Sequence, residues 1–395
     1  MTSCDLTTEV GTLEYLRAKG YRCTSVERLN GGFSAFVYRA SLTQLNGSKP
    51  RSIIVKHVED YAARVPAYKL SPARLAYEHE ALATLPQLLG QDSTSRVCLP
   101  TALHFDAHTH TVVIEDVGAL PSLKEFLSKE TPTSVCQQIG SDLGQFLAQV
   151  HLLSATRPSV LRKFGTNEAA KQLSALVYFN QLPSAAAKYG HSEPFIAEAA
   201  AEGEREVLEP GEDVVLTLGD FWTGNVLVLP SSAGRESGVA RLFALDFELC
   251  KPGTAAFDIG QMAAEMYCLA KFKDWEKGMA LLEGFLGTYR DAISNAGMDQ
   301  ESEGDEEGYA RRIGGDVVAD MSSSRPARRL VDPAKVSIRI GAHLVVMGPM
   351  GWAKTAGDLG VRELAEEGVE LIRTGWSKDV ATLKDSMVGT LYLRA

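Results

Sequence analysis

LTLGDFWTGNVLV, residues 216–228, sets Asp220 after a short apolar run and Asn225 five residues later, with a second apolar run beyond. A loop between two strands that carries this pair can aim a carboxylate at a hydroxyl and a side-chain carbonyl at a metal. Downstream, ALDFELCKPGTAAFDIGQ (residues 244–261) ends an apolar strand on Asp246 and Glu248. Alternate strand residues share a face, so these two carboxylates point the same way and repel unless a cation neutralises them. For any single carboxylate a cap or surface ion pair is the plainer explanation. All of them in this order is a specific pattern.

Upstream, residues 21–117 are strand-rich. YRCTSVERL, AFVYRASL, RSIIVKHV, LPTALHFD and HTVVIEDV are short, rich in β-branched or aromatic residues, and bounded by turn residues. One helix interrupts them, SPARLAYEHEALATLPQLL, for which Ser71 is the expected cap and Pro72 the expected first residue. Leu75, Leu82 and Leu85 mark its buried stripe, and Glu78 lies on the same side. From residue 121 helical periodicity dominates, as in TSVCQQIGSDLGQFLAQVHLLS and again after residue 360. The organisation expected is α+β: a small β-rich lobe, residues 1–117, joined near Val117 to a larger helical lobe, residues 118–395. Residues 299–333 are charged, Gly/Ser-rich and aperiodic, which reads as an exposed insertion.

Phosphoryl transfer needs a backbone cradle for phosphates, a cation on them, oxygen ligands for magnesium and a base facing the acceptor hydroxyl. LNGGFSAFVYR supplies Gly31, Gly32 and Ser34 between two strands, where unobstructed amides can approach phosphate oxygens. A glycine pair there is more often a plain hairpin turn. Lys56 ends a strand, and Glu78 on the following helix is its expected partner. The backbone from Glu115 to Val117, at the lobe junction, could hydrogen-bond an adenine edge; a plain hinge with exposed carboxylates is the alternative. Trp222, Glu265 and Trp352 are candidates for an acceptor pocket, with core or helix surface as the alternative.

The 395 residues are 45% hydrophobic and carry a net charge of -10, which argues against nucleic acid or an anionic membrane as the main partner. A cationic small molecule suits that charge, as does simple solubility. The six cysteines are scattered, without metal-ligand spacing, and fit reduced thiols in the cytoplasm. No signal peptide or membrane span is expected.

GDFWTGN (219–225) and LDFE with AFDIGQ (245–248, 256–261) resemble the catalytic loop and metal-binding segment of the aminoglycoside phosphotransferase and choline kinase family, which includes methylthioribose kinases. The resemblance covers residues 20–290. It implies a protein-kinase-like bilobal fold and an ATP- and Mg2+-dependent kinase acting on a small-molecule alcohol. Asp220 would be the base, Asn225, Asp246 and Glu248 metal ligands, Lys56 with Glu78 the phosphate-anchoring pair, and Asp258 a buried support of the loop. Three features depart from the pattern: residues 299–333 are an insertion, Ala35 stands where Asn often ends the glycine-rich loop, and Leu218 stands where the family usually has His. A Leu there is expected to pack in the place of the bracing His. The alternative is a nucleotide-binding pseudokinase with a regulatory or scaffold role. A protein kinase is disfavoured by the lack of D-F-G and A-P-E segments.

Overall fold

The computed structural model describes residues 4–30, 32–43, 52–92, 94–127, 130–211, 214–231, 238–302 and 331–392. The N-terminal region contains α1 (Glu9–Ala18), β1 (Cys23–Arg28), β2 (Phe36–Leu42), β3 (Ser52–His57), the hairpin β4 (Tyr61–Ala62) and β5 (Val65–Lys69), α2 (Arg74–Leu88), β6 (Val97–Cys98), β7 (Ala102–Asp106) and β8 (Thr111–Glu115). Five of these strands form an antiparallel sheet in the order β1-β2-β3-β8-β7. Its two faces follow from the period of two along each strand. Phe36, Tyr38, Ala40, Ile53, Val55 and Val113 bury one face in a cluster with Leu16 of α1. Lys56 alternates with Val55 and is therefore delivered to the other face, beside α2.

All five strands read from the sequence are present. α1 and the short β4–β5 hairpin carry no comparable periodic signal in the sequence. The start of α2 also differs. The helix begins at Arg74 and no side chain caps it; Ser71 Oγ only meets the Ala73 amide at 3.4 Å.

The C-terminal region is mainly helical: α3 (Leu123–Phe126), α4 (Thr133–Thr156), α5 (Pro158–Phe164), α6 (Glu168–Ser174), a π-helical turn (Ala175–Asn180), α7 (Leu182–Ala187), α8 (Pro194–Leu208), α9 (Ala255–Phe272), α10 (Trp275–Ser302), α11 (Pro333–Ser377) and α12 (Val380–Asp385). Four short strands interrupt it: β9 (Val215–Thr217), β10 (Val226–Pro230), β11 (Val239–Ala244) and β12 (Lys251–Gly253). The two apolar runs that flank Asp220 do not pair with each other. β9 pairs with β12, whereas β10 pairs with β11, which β6 joins in parallel. α9 is buried nearly all round, as a helix at the centre of a large lobe must be. The whole is an α+β, two-lobed architecture.

Residues 299–302, expected within the insertion, belong to the end of α10. Asp332 and Pro333 open α11 instead of closing a loop, the Asp332 carboxylate accepting from the Ala334 amide at 3.0 Å. Residues 303–330 lie outside the described residues. α11 is broken at Gly357, whose φ of 64° and ψ of 177° leave the helical region. All six cysteines are free. No described helix is long and apolar enough to cross a membrane.

Candidate functional site

Lys56 is the hub. Its Nζ lies 2.7 Å from Glu78, 2.6 Å from Asp246 and 3.1 Å from Glu248. Burial opposes its charge, but the three carboxylates outweigh that and hold the ammonium well above its usual pKa. Burial lifts Glu78 the other way, to about 7, against the pull of Lys56. Arg74, one helical turn before Glu78 and only 1% exposed, meets Glu248 at 3.3 Å and donates to the carbonyls of Ser71 and Ser34. Glu248 also accepts from Ser34 Oγ at 2.9 Å. Burial raises its pKa, and Lys56 and Arg74 together bring it below the ordinary value.

Asp246 holds a backbone φ of 65°, rare outside glycine and common where a functional geometry is imposed. Glu78, Asp246 and Glu248 bring carboxylate oxygens within 4.8 Å of one another. Three carboxylates face two cations, Lys56 and Arg74, so negative charge is left over. Oε2 of Glu78 and of Glu248 make no hydrogen bond of good geometry although both face Lys56. Surplus charge on hard oxygen donors fits a magnesium ion. Glu248, tied down by Ser34, Arg74 and Lys56, is the least free of the three to move onto it.

The loop of residues 218–225 is held from behind by α9. Asp258 accepts from the amides of Leu218 and Gly219 at 2.7 and 3.0 Å, and Gln261 accepts from the Phe221 amide at 3.2 Å. His151 of α4 reaches the same Asp258 at 3.3 Å and Tyr289 at 2.7 Å. Gly219 is required here: its φ is 85° and a Cβ would fall 2.2 Å from the Leu249 carbonyl oxygen. Leu218 is 2% exposed in the apolar core. Gly224 is required too, because the Trp222 ring lies against it.

Asp220 accepts from Tyr178 at 3.3 Å and from Asn225 Nδ2 at 2.9 Å. Burial, then the charge of Asp246, raises its pKa to about 7. Asn225 spends its side-chain Nδ2 on Asp220, and its backbone carbonyl accepts from the amide of Leu245, the residue before Asp246, at 2.9 Å.

A cavity of about 690 Å³ opens in front of these groups, lined among others by Ser34, Lys56, Glu78, Val117, Trp222, Asn225 and Asp246. Asp220, half-buried, is not among its lining residues. Gly31 lies outside the described residues. At Gly32 a Cβ would meet nothing closer than the Ala35 carbonyl at 3.7 Å, so packing within the chain does not itself demand glycine. Ser34 faces Glu248 with its hydroxyl. The Glu115 amide already donates to Thr101 at 2.9 Å and its carboxylate accepts from Thr101, which removes its amide as a donor to a base. Among the described residues the Val117 backbone makes no such bond, and Glu115, Asp116 and Val117 all line the cavity.

Trp222, Glu265 and Trp352 do converge. Glu265 accepts from Thr223 Oγ1 at 3.2 Å and from Trp352 Nε1 at 3.2 Å, and His343 lies 3.4 Å away. Sequence reasoning missed Arg74, His151, Tyr178 and Lys124. Only Arg74 left a signal, its i,i+4 spacing from Glu78.

The chain is 27% identical over 376 residues to a 4-hydroxytryptamine kinase of Psilocybe cyanescens, covering 93% of this chain and 92% of that one. It is 28% identical over 296 residues to a protein of the same name from Psilocybe cubensis, with 72% and 80% covered. Among solved structures, choline kinase LicA from Streptococcus pneumoniae superimposes with a TM-score of 0.44 and 16% identity, covering 92% of this chain and 98% of that one. The profile of the phosphotransferase enzyme family, APH, matches residues 25–300, and the chain belongs to that family.

Proposed function

We propose that this phosphotransferase uses ATP and Mg2+ to phosphorylate a hydroxyl of a small molecule, in a cleft between a nucleotide-binding lobe of residues 1–117 and a helical lobe of residues 118–395. The observation that carries the reading is Lys56, which touches Glu78 at 2.7 Å and Asp246 at 2.6 Å at once. The phosphate-anchoring pair and the carboxylate of the metal segment thus meet on one cavity wall.

In this reading Lys56, steadied by Glu78, binds α- and β-phosphate oxygens, and the backbone around Gly32 and Ser34 covers them. Val117 offers the adenine edge its backbone groups. Asp246, Asn225 and Glu248 would hold Mg2+, which supplies positive charge against the transferring phosphoryl group. Asp220 orients the acceptor hydroxyl and takes its proton. Tyr178 and Asn225 fix the direction of the carboxylate. Asp258 and Gln261 keep the loop amides paired, so that Leu218 can replace a bracing His without freeing the loop.

The relatives named as 4-hydroxytryptamine kinases make hydroxylated aromatic amines the first acceptors to try. ATP consumption and product mass should be followed with a panel of hydroxy-amines and neutral alcohols, with and without Mg2+. Metal-dependent phosphorylation of at least one acceptor is expected. ATP binding with no turnover on any acceptor, and no slow ATP hydrolysis, would favour the pseudokinase instead.

A further inference from the structure

The cavity continues past Asp246 to a cluster that the phosphoryl chemistry does not use. Lys124, on the four-residue helix α3, extends its side chain across the cavity wall, where its Nζ lies 3.9 Å from the ring centre of Trp352 and 5.5 Å from that of Trp222. The same nitrogen is 3.8 Å from Glu265 Oε2 and donates to the Gly351 carbonyl at 3.0 Å. Two indoles, a carboxylate and a carbonyl around one ammonium make a cation-binding box.

The walls of the box are built in and its occupant is not. Glu265 is 3% exposed and Trp352 1%, and Glu265 is fixed by Thr223, Trp352 and His343. Burial would raise the Glu265 pKa, but His343 and Lys124 hold it below the ordinary value, so the box keeps a negative charge. Lys124 is 22% exposed, sits on a flexible stem, and pairs with Glu265 only at the outer limit of an ion pair. Trp222 lies two residues from Asp220 on the same loop, and with Lys124 and Trp352 it lines the same cavity as Asn225 and Asp246.

We propose that this box takes the ammonium group of a cationic acceptor, and that Lys124 is a tethered competitor occupying it until the acceptor arrives. This rests on the reading of the cavity as a phosphotransfer site. An acceptor without an ammonium leaves Lys124 in place and meets a narrowed cavity. One that carries an ammonium displaces Lys124 and completes the contacts with Trp222, Trp352 and Glu265. The chain thereby prefers hydroxy-amines over neutral alcohols of the same shape.

The test is calorimetric titration of the nucleotide-free protein with tryptamine, which has an ammonium and no hydroxyl, and with neutral 3-ethylindole. Lys124→Ala should bind tryptamine at least about tenfold tighter than wild type and 3-ethylindole within about twofold of it. Adding Glu265→Gln should abolish the gain. Lys124→Met, which keeps the apolar stem, should show the same order if the alanine variant unfolds on a melting control. Unchanged or weaker tryptamine binding in Lys124→Ala overturns the proposal, as does equal tightening of both ligands, which would mean only added space. Because binding is read without ATP, failure here leaves phosphotransfer standing, and absence of phosphotransfer leaves this result intact.

Discussion

The Leu218 amide donates to Asp258 Oδ2 at 2.7 Å, and the adjacent Gly219 amide donates to Oδ1 of the same carboxylate at 3.0 Å. A residue on α9 thus holds the backbone just ahead of Asp220, whatever side chain stands at 218. Asp258→Ala would leave both buried amides and His151 without that partner. It should lose roughly 2–5 kcal/mol in urea unfolding followed by circular dichroism, and turnover should fall with it. Wild-type stability in this variant would show that water or a rearranged loop satisfies the amides.

Leu218→His, which restores the usual family residue, should not improve the protein. The position is 2% exposed in the apolar core, so a ring placed there buries a polar nitrogen at a cost of about 1–3 kcal/mol. The melting temperature should drop and turnover should stay level or fall. A rise in turnover at unchanged stability would mean that the loop does lack its brace.

Arg74→Lys should be far from conservative. The guanidinium reaches Glu248 and the carbonyls of Ser71 and Ser34 together, which an ammonium cannot do. A loss of about 1–3 kcal/mol in stability is expected, along with weaker ATP binding in a melting-shift titration, because Ser34 and Glu248 lose their common anchor. Full retention of nucleotide binding would show that Ser34 and Glu248 hold their places unaided.

Asp106 gives a pH signature away from the site. Burial raises its pKa, but Lys19, Tyr15 and the amides of Thr109 and His108 outweigh burial and hold it below the ordinary 3.8. A depressed carboxylate contributes stability that is fully present above 3.8 and is lost as the pH falls through the lower folded-state value. Asp106→Asn should therefore cost roughly 1–3 kcal/mol at pH 7, and the gap to wild type should shrink in acid melts below pH 4. A gap that is constant with pH would assign the loss to packing instead.

The sheet was legible because its strands alternate, which also set Lys56 on the face that meets α2. Glu78 was legible through its place on the Leu75–Leu82–Leu85 stripe, and the loop of residues 218–225 through its Gly-Asp and Asn spacing. The rest was hidden by a common cause. Arg74, His151, Tyr178 and Lys124 sit on helices where a polar residue reads as solvated, and only tertiary packing turns them inward. Ser71 looked like a cap, yet the helix starts beyond Pro72 without one. Glu115 looked available to a base, but its amide is consumed by the Thr101 carbonyl, a cross-strand pairing that no local pattern announces.

The central claim is that Asp220 is the base of an ATP-dependent phosphotransfer. The most direct measurement is initial-rate phosphorylation of the best acceptor by wild type and by Asp220→Asn, with folding and ATP binding matched by melting shift. The account predicts Mg2+-dependent product with wild type and a fall of at least about 100-fold in kcat for Asp220→Asn, with ATP affinity little changed. Equal rates from the two proteins would contradict it.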